Sequence, residues 1–313
     1  MAKPFSTPVS IATLVGRLLP GAADFKPITG GEESLAFAIH TDRQSCVLRL
    51  NRSIEGFAKD DFAWRRLASP SLPIPAVIEI GFTDDGHAYC LAQLVPGVTL
   101  QELSPLELPP VLAPVAAVMD EIAASDASDL SGFGPFDAQG RGHYGSWWHY
   151  LTAVASPTLY DWAALEARID RAVVDACLET IVALAALCPE VRQVVHGDFG
   201  SNNVLTDGRR ITGVIDWSEA MIGDPLYDLA NILFWRPWLA CMERQARYFE
   251  TVEPGRLRDV ERLRCYQLRI GLEQLYHSAR LGADDDVAWA SARCREVMLA
   301  GDRRDSSGVQ HVG

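Results

Sequence analysis

The sequence predicts a bilobal α+β fold, in which a small strand-rich N-terminal lobe precedes a larger helical C-terminal lobe. Short apolar segments separated by turns fill residues 1–95, whereas apolar residues recur at helical spacing through most of residues 96–313. The pair Pro96-Gly97 interrupts the pattern where the two regions meet. A chain of 313 residues also exceeds the usual size of a single hydrophobic core. We therefore expect two lobes that join at this break.

The N-terminal lobe is predicted to contain several strands and two helices. The first helix lies within residues 11–19, where Arg17 interrupts the apolar stretch, so the segment does not fit the pattern of a secretory signal. A first strand ends in the sequence P-I-T-G-G. The turn sequences T-D-R and D-D-G join later strand pairs. These later strands are predicted at residues 34–40, 46–50, 76–81 and 88–95, and the second helix at residues 56–68.

The C-terminal lobe is predicted to be mainly helical, because apolar residues recur every three or four positions over long segments. Two strand-like segments interrupt this pattern between residues 194 and 216. From about residue 301 the sequence becomes polar, which predicts a frayed C-terminal tail. The predicted helices cover residues 108–124, 158–187, 225–234, 239–249, 257–281 and 285–299.

The segment V-V-H-G-D-F-G-S-N-N, at residues 194–203, carries the strongest functional signal. It places Asp198 two residues after His196, and Asn203 five residues after Asp198. A second apolar run follows and ends in Asp216. Kinase-type active sites place their polar groups in this order along the chain. The pattern therefore predicts phosphoryl transfer, with Asp198 orienting an attacking hydroxyl group and accepting its proton.

The same residues predict a magnesium site. Mg²⁺ prefers oxygen ligands and needs only one or two protein carboxylates beside the phosphates of ATP. The side-chain oxygen of Asn203 and the carboxylate of Asp216 fit this preference. The alternative is a metallohydrolase that uses His196, Asp198 and Asp216 as metal ligands. His196 is the only histidine of this segment, which favours the kinase arrangement.

The amino-acid composition limits the kinds of partner that this protein is expected to bind. The chain has 28 Lys and Arg against 41 Asp and Glu, a net charge of −13. Such a surface attracts small polycations and repels nucleic acids and anionic membranes, although it also serves solubility alone. The seven scattered cysteines fit reduced thiols, and no apolar run reaches the roughly 18 residues of a membrane span. We expect a cytoplasmic monomer without a nucleic-acid or membrane partner.

The catalytic segment, the pair Gly30-Gly31 and the sequence G-D-P-L-Y-D-L-A at residues 223–230 resemble the aminoglycoside phosphotransferases. The similarity covers nearly the whole chain, and residues 199–221 and 235–242 are most similar to members that act on hygromycin B. The resemblance implies a protein-kinase-like fold and transfer of phosphate from ATP, with Mg²⁺, to a hydroxyl group of an aminocyclitol antibiotic. Hygromycin B is the expected substrate. The alternatives are a kinase for another aminoglycoside, a macrolide or a choline-like metabolite, and a non-catalytic pseudokinase.

The resemblance also assigns the nucleotide site. Many kinases carry a phosphate-binding Lys on the third strand, and here Arg49 takes that position. Arg49 remains charged and can neutralise phosphate. Its expected acidic partner is Asp60, with Asp61 and Lys59 as alternatives. The residues that match the loop over the ATP phosphates are Gly30, Gly31 and Ser34.

The resemblance separates supporting residues from candidate substrate contacts. His196 is expected to support the catalytic loop, and Asp224 and Asp228 to stabilise the surrounding backbone. Flat aromatic faces and carboxylates suit the rings and ammonium groups of an aminocyclitol, although aromatic residues are more often part of a core. The candidate substrate contacts are Trp235, Trp238, Glu273, Gln274 and Tyr276.

Overall fold

The computed structural model describes residues 8–22, 24–28 and 34–305, and it has the predicted α+β architecture. In the N-terminal lobe, the described residues form a five-stranded antiparallel sheet with the order β1-β2-β3-β5-β4. Helix α1 (Pro8–Leu18) precedes the sheet, and helix α2 (Glu55–Leu67) follows its third strand. The strands are β1 (Asp24–Ile28), β2 (Leu35–His40), β3 (Ser45–Asn51), β4 (Val77–Phe82) and β5 (Ala88–Gln93).

The two faces of this sheet have different roles. Along β3, Leu48 and Leu50 are buried in a cluster that includes Ile11 and Leu14 of α1. Because side chains alternate across a strand, the intervening Arg49 points to the opposite face. There its guanidinium lies 5.0 Å from the ring centroid of Phe57 on α2. The alternation therefore presents the single cation of this strand to α2.

The C-terminal lobe is built around α8, which packs against α5, α6 and α9. Large buried side chains such as Trp147, Phe234 and Tyr266 fill its core. Gly282 directly follows α8 and caps it in a left-handed conformation (φ 73°) suited to glycine. The helices of this lobe are α3 (Leu112–Ala124), α4 (Trp147–Thr152), α5 (Arg171–Ala185), α6 (Leu226–Trp235), α7 (Ala240–Thr251), α8 (Val260–Leu281) and α9 (Asp284–Asp305).

Two small sheets lie among these helices and frame the predicted catalytic segment. One has the strand order β11-β10-β6 and the other the order β8-β7-β12-β9. The loop that carries Asp198 connects β9 to β10, and Asp216 lies between β11 and β12. The strands are β6 (Val98–Thr99), β7 (Phe133–Phe136), β8 (Gly142–Tyr144), β9 (Gln193–Val195), β10 (Val204–Thr206), β11 (Ile211–Val214) and β12 (Met221–Gly223).

The predicted helix at residues 158–187 was wrong in its first half. The α-helix begins only at Arg171, because the Asp170 side chain accepts hydrogen bonds from the N–H groups of Ala172 (3.1 Å) and Val173 (3.3 Å) and caps it. Before this cap the chain forms turns and one short 3₁₀ helix, Ala163–Leu165. The aromatic residues there pack against α8 instead of lining a helix face.

Helix α9 continues to Asp305, and the predicted fraying of the tail from about residue 301 stays a prediction. The rest of the predicted tail, residues 306–313, lies outside the described residues. All seven cysteines are buried free thiols. None of the helices in the described ranges combines the length and the hydrophobicity that a membrane span requires.

Candidate active site

Asp198 lies in a loop whose polar groups hold each other in place. The Nδ2 atom of Asn203 donates to the backbone carbonyl of Asp198 (2.9 Å) and to its carboxylate (2.8 Å). The Nδ1 atom of His196 accepts from the N–H of Asp198 (3.3 Å), and its Nε2 atom donates to the carbonyl of Ile215 (3.1 Å). Burial lowers the pKa of His196 to about 4. His196 is therefore neutral near pH 7, and it braces the loop as predicted.

Asp228, on α6, anchors the start of the same loop. Its buried carboxylate accepts hydrogen bonds from the N–H groups of His196 (2.9 Å) and Gly197 (2.8 Å). Gly197 has a φ of 85°, and a Cβ atom there would lie 2.2 Å from the carbonyl oxygen of Glu219. The loop therefore needs glycine at this position. Asp224 has a similar supporting role, since it accepts hydrogen bonds from the N–H of Leu226 (3.1 Å) and the hydroxyl of Tyr266 (2.6 Å).

Replacement of Asp228 by Ala is expected to lower the free energy of unfolding by about 2–4 kcal/mol, because two buried N–H groups lose their acceptor. Urea unfolding followed by circular dichroism measures this change. The matched control is Asp175→Ala on α5, where a half-exposed ion pair with Arg171 is lost. This control is expected to change stability by less than about 1 kcal/mol. Equal losses in the two variants would contradict the anchoring role of Asp228.

Asp216 has an unusual backbone conformation. It has a φ of 60° and is the only non-glycine residue with positive φ in the part of the chain that the structure describes. Asp and Asn tolerate this left-handed region better than most residues, because their short side chains bond locally. Here the hydroxyl of Ser218 donates to the Asp216 carboxylate (2.8 Å). Such strained conformations concentrate at functional sites.

The donor groups of the site fit magnesium. Since Nδ2 of Asn203 is directed to Asp198, the side-chain oxygen of Asn203 and the carboxylate of Asp216 would be the oxygen ligands for the predicted Mg²⁺. The structure shows no cluster of three His, Cys, Asp or Glu side chains suited to a metal within its described residues. Both ring nitrogens of His196 already form hydrogen bonds, one with the N–H of Asp198 and one with the carbonyl of Ile215. His196 is therefore not available as a metal ligand, as the metallohydrolase alternative would require.

The surroundings of Asp198 favour proton acceptance near neutral pH. Burial raises the pKa of Asp198 to about 7, and the negative charges of Asp216 and Glu219 act in the same direction. The hydrogen bond from Asn203 opposes this rise. A base with a pKa near the working pH is suited to take a proton from a hydroxyl group.

The expected pair of Arg49 and Asp60 is present. A guanidinium nitrogen of Arg49 donates to one Asp60 oxygen, and the other Asp60 oxygen accepts from the N–H of Trp217 (2.8 Å). Asp61 instead pairs with Arg65 at the surface (2.9 Å). Asp60 thus connects the cation of β3 to the turn that follows Asp216.

The structure describes only the end of the loop that is predicted to cover the phosphates. The hydroxyl of Ser34 accepts a hydrogen bond from Nδ2 of Asn51 at the end of β3 (3.0 Å). Gly30 and Gly31 lie outside the described residues. Their predicted contact with the phosphates therefore stays a prediction.

The candidate substrate contacts form two separate groups. In the first, Trp235 stacks face to face on Trp289 (centroids 5.0 Å apart, planes at 8°), and Trp238 meets Trp289 edge-on at 4.8 Å. Trp235 is partly buried against the core, whereas Trp238 is 51% exposed. Of the two, Trp238 has the more accessible ring.

The second group lies on α8. The hydroxyl of Tyr160 donates to Glu273 (2.6 Å) and the ring of Tyr160 contacts that of Tyr276 at 4.9 Å. The Glu273 side chain is 51% exposed. The side chain of Gln274 forms a hydrogen bond within α8, because its Nε2 atom donates to the hydroxyl of Ser278 (3.0 Å). Glu273 is therefore the exposed carboxylate of this group, and it already forms an ion pair with the buried Arg269.

Two further residues of this region were not identified from the sequence. Arg269 was not predicted at all, and Lys59 was considered only as an alternative partner of Arg49. Arg269 is buried, donates to Glu273, and its guanidinium lies 4.9 Å from the ring centroid of Tyr150. The spacing of Arg269 and Glu273 by four residues on a helix could have indicated their pairing. Lys59 is buried against backbone carbonyls of the turn after Asp216. No local pattern marks that contact.

Comparison with known proteins shows which family this chain belongs to. The model of the phosphotransferase enzyme family matches residues 24–266. The chain is 48% identical over 301 residues to the hygromycin-B 4-O-kinase of Escherichia coli, which covers 96% of this chain and 88% of that protein. It is 28% identical over 243 residues to the viomycin phosphotransferase of Streptomyces vinaceus, covering 70% of this chain and 76% of that protein.

Solved structures show the same relationship. The aminoglycoside phosphotransferase APH(4)-Ia superposes with a TM-score of 0.89 at 48% identity, over 94% of this chain and 99% of that chain. A thermostable mutant of APH(4)-Ia in ternary complex with AMP-PNP and hygromycin B has a TM-score of 0.87 at 49% identity, over 93% of this chain and 99% of that one. The GDP complex of aminoglycoside 2'-phosphotransferase-IIIa shares the fold at 14% identity, with a TM-score of 0.65 over 95% of this chain and 100% of that chain. The chain therefore belongs to the phosphotransferase enzyme family, as its resemblance to the aminoglycoside phosphotransferases predicted.

Proposed function

We propose that this protein transfers the γ-phosphate of ATP to a hydroxyl group of hygromycin B, with Mg²⁺ as its metal cofactor. The observation that carries the proposal is the fixed placement of Asp198 beside Asn203, in a chain that aligns along 96% of its length with a hygromycin-B 4-O-kinase. The name of that relative points to the 4-hydroxyl as the acceptor. The exposed aromatic and acidic groups of the C-terminal lobe suit a cationic sugar-like substrate.

In this proposal, each lobe has a different function. Residues 1–95 form the nucleotide-binding lobe, and residues 96–313 form the lobe that carries catalysis and substrate binding. Arg49 neutralises phosphate charge, and Asp60 holds Arg49 in place through their ion pair. The residues that cover the phosphates are Gly30, Gly31 and Ser34.

The chemistry needs mainly positioning and charge neutralisation, because phosphoryl transfer passes through a loose transition state. Asp198 accepts a hydrogen bond from the acceptor hydroxyl and takes its proton as the oxygen approaches phosphorus. Asn203 keeps the Asp198 carboxylate in one orientation through its Nδ2 atom. Bound Mg²⁺, held by Asn203 and Asp216, supplies neutralisation of the phosphate charge.

The substrate is held by the C-terminal lobe in this proposal. Trp235 and Trp238 offer ring faces, and Glu273, with the neighbouring Gln274 and Tyr276, receives ammonium and hydroxyl groups. The net charge of −13 favours the approach of a polycation. We propose that the enzyme acts as a cytoplasmic monomer and confers resistance to the antibiotic.

A panel assay tests the proposal. Purified protein is incubated with ATP, Mg²⁺ and one acceptor at a time, and ADP release is followed with coupling enzymes. The acceptors are hygromycin B, kanamycin, viomycin, a macrolide and choline. We expect rapid turnover only with hygromycin B, and growth of a sensitive bacterium on that drug when it expresses the protein. Faster turnover with viomycin or kanamycin would overturn the choice of substrate and leave the kinase assignment standing.

Arg49→Ala is expected to raise the KM for ATP by about 10-fold or more, because a charge-assisted hydrogen bond contributes about 1.5–3 kcal/mol. Arg49→Lys keeps the charge but loses the planar fork, so its KM is expected to lie between those of wild type and Arg49→Ala. The control Arg65→Ala removes an exposed cation from α2. Equal KM values in all four proteins would show that another cation binds the phosphates.

Trp238→Ala is expected to raise the KM for hygromycin B by roughly 2- to 10-fold, since an aromatic contact contributes about 0.5–1.5 kcal/mol. The KM for ATP should stay unchanged, because Trp238 contacts Trp289 in the C-terminal lobe, whereas Arg49 and Asp60 belong to the N-terminal lobe. Trp148→Ala is the matched control, as Trp148 is another partly exposed tryptophan. If Trp148→Ala raised the KM for hygromycin B as much as Trp238→Ala, the assignment of Trp238 to the substrate site would fail.

A further inference from the structure

Lys59 is a buried cation at the boundary between the two lobes. It lies on α2, its exposed fraction is 6%, and its Nζ atom is 5.0 Å from the ring centroid of Phe136 in the other lobe. Nζ donates hydrogen bonds to the carbonyl oxygens of Ser218 and Ala220, the second at 2.8 Å. These acceptors stand 159 and 161 residues away in the sequence. A buried ammonium group directed at backbone carbonyls needs an explanation, because lysine is rarely buried.

The two carbonyls belong to the turn that immediately follows Asp216. Residues Trp217–Glu219 form a single 3₁₀ turn, and Ala220 ends it. Two adjacent side chains of α2 bind opposite ends of this turn. Asp60 accepts from the N–H of Trp217 at its start (2.8 Å), and Lys59 donates to the carbonyls at its end. Helix α2 therefore holds the turn at both ends.

The position of the turn determines where the Asp216 carboxylate lies. Asp216 precedes the turn with a φ of 60°, a conformation that persists only where the surroundings impose it. Its carboxylate also accepts from the hydroxyl of Ser218, one of the residues that Lys59 binds. Helix α2 also lies close to the turn, since a Cβ atom on Gly56 of α2 would lie 3.2 Å from the Cβ of Ser218. Displacement of the turn would thus displace the metal-binding carboxylate.

We infer that Lys59 is a positioning residue that fixes the turn at residues 217–220 and thereby aims the Asp216 carboxylate at the metal. The inference rests on the proposed function, in which Asp216 binds Mg²⁺. Lys59 does not substitute for a phosphate-binding cation, because its ammonium group is directed to the turn. Groups that orient a metal ligand without touching the metal are commonly worth about 10- to 100-fold in metal affinity or activity.

The test is Lys59→Met, which keeps much of the apolar stem and removes the ammonium group. The affinity of the protein for Mn²⁺ in the presence of ADP is measured by electron paramagnetic resonance, which requires no antibiotic turnover. We expect Mn²⁺ to bind about 10- to 100-fold more weakly, and turnover to need correspondingly more Mg²⁺. The KM for hygromycin B should change by less than about twofold, because only the metal ligand is displaced.

Arg65→Met is the matched control, because it removes an exposed cation from the same helix. It should leave Mn²⁺ affinity unchanged. Lys59→Gln is the second variant, which keeps a hydrogen-bond donor but loses the positive charge. It replaces Lys59→Met in the test if Lys59→Met does not fold. We expect Lys59→Gln to weaken Mn²⁺ binding by several-fold within the same range. Wild-type Mn²⁺ affinity in a folded Lys59 variant would overturn the inference. By contrast, failure of the wild-type protein to bind Mn²⁺ with ADP would overturn the proposed function itself.

Discussion

Asp198→Asn is expected to lower the turnover of hygromycin B by at least about 100-fold, because a positioned general base contributes roughly 10²- to 10⁴-fold. The amide has nearly the same shape as the carboxylate and still offers an oxygen to Nδ2 of Asn203, so the loop should keep its conformation. What the variant loses is the ability to accept the hydroxyl proton. The affinity for Mg·ATP should therefore stay close to that of the wild-type protein.

Single-turnover kinetics with hygromycin B measure the chemical step of this variant, and calorimetry measures its nucleotide affinity. Asp61→Asn is the matched control, since Asp61 is the neighbour of Asp60 on α2 and only pairs with Arg65 at the surface. It is expected to behave as wild type. Retention of more than about a tenth of wild-type turnover by Asp198→Asn would exclude Asp198 as the base, given the 10²-fold minimum.

Asp216→Asn is expected to weaken the magnesium-dependent binding of AMP-PNP by at least about 100-fold. The loss should exceed the 10- to 100-fold expected for groups that only orient a ligand, because a charged metal ligand itself is removed. Asparagine is chosen over alanine because it tolerates the left-handed backbone (φ 60°) at this position. Its amide can also keep a hydrogen bond with Ser218, so the turn should persist.

Calorimetric titration with AMP-PNP, with and without Mg²⁺, separates the metal contribution from that of the nucleotide. Asp207→Asn is the control, as Asp207 is a surface aspartate that pairs with Arg210 in the turn between β10 and β11. Without Mg²⁺, the Asp216 variant should bind AMP-PNP as the wild-type protein does. Unchanged affinity for AMP-PNP in the presence of Mg²⁺ would show that Asp216, which follows β11, has only a structural role.

The loop that carries Asp198 and Asn203 could be located from the sequence because its information is local. Asp198 and Asn203 are five residues apart, and Asn203 and the Asp198 carboxylate are hydrogen-bonded in the structure (2.8 Å). The pairing of Arg49 with Asp60 was also predictable, since a strand and the helix after it bring residues 11 positions apart into contact. The supporting role of Asp228 followed from its position in the segment G-D-P-L-Y-D-L-A.

Contacts between distant segments could not be predicted in the same way. Lys59 meets a turn about 160 residues later, and no spacing in the sequence indicates that contact. Tyr160 and Trp162 fit the apolar periodicity of a helix, yet they pack against Tyr276 on α8 and the helix begins later. Tertiary contacts outweigh local periodicity in that region. Strands of two to four residues, such as β6 and β7, are too short to leave a recognisable pattern.

The identity of the reaction product shows most directly whether this protein phosphorylates hygromycin B. Purified protein is incubated with ATP, Mg²⁺ and hygromycin B, and the product is examined by phosphorus NMR with correlation to the sugar and cyclitol protons. We predict one phosphomonoester, formed in equal amount to ADP and attached at the 4-hydroxyl named for the E. coli relative. The same mixture with Asp198→Asn should contain almost none. Release of inorganic phosphate without a phosphorylated antibiotic, in the presence of the wild-type protein, would contradict the assignment of this protein as a hygromycin B kinase.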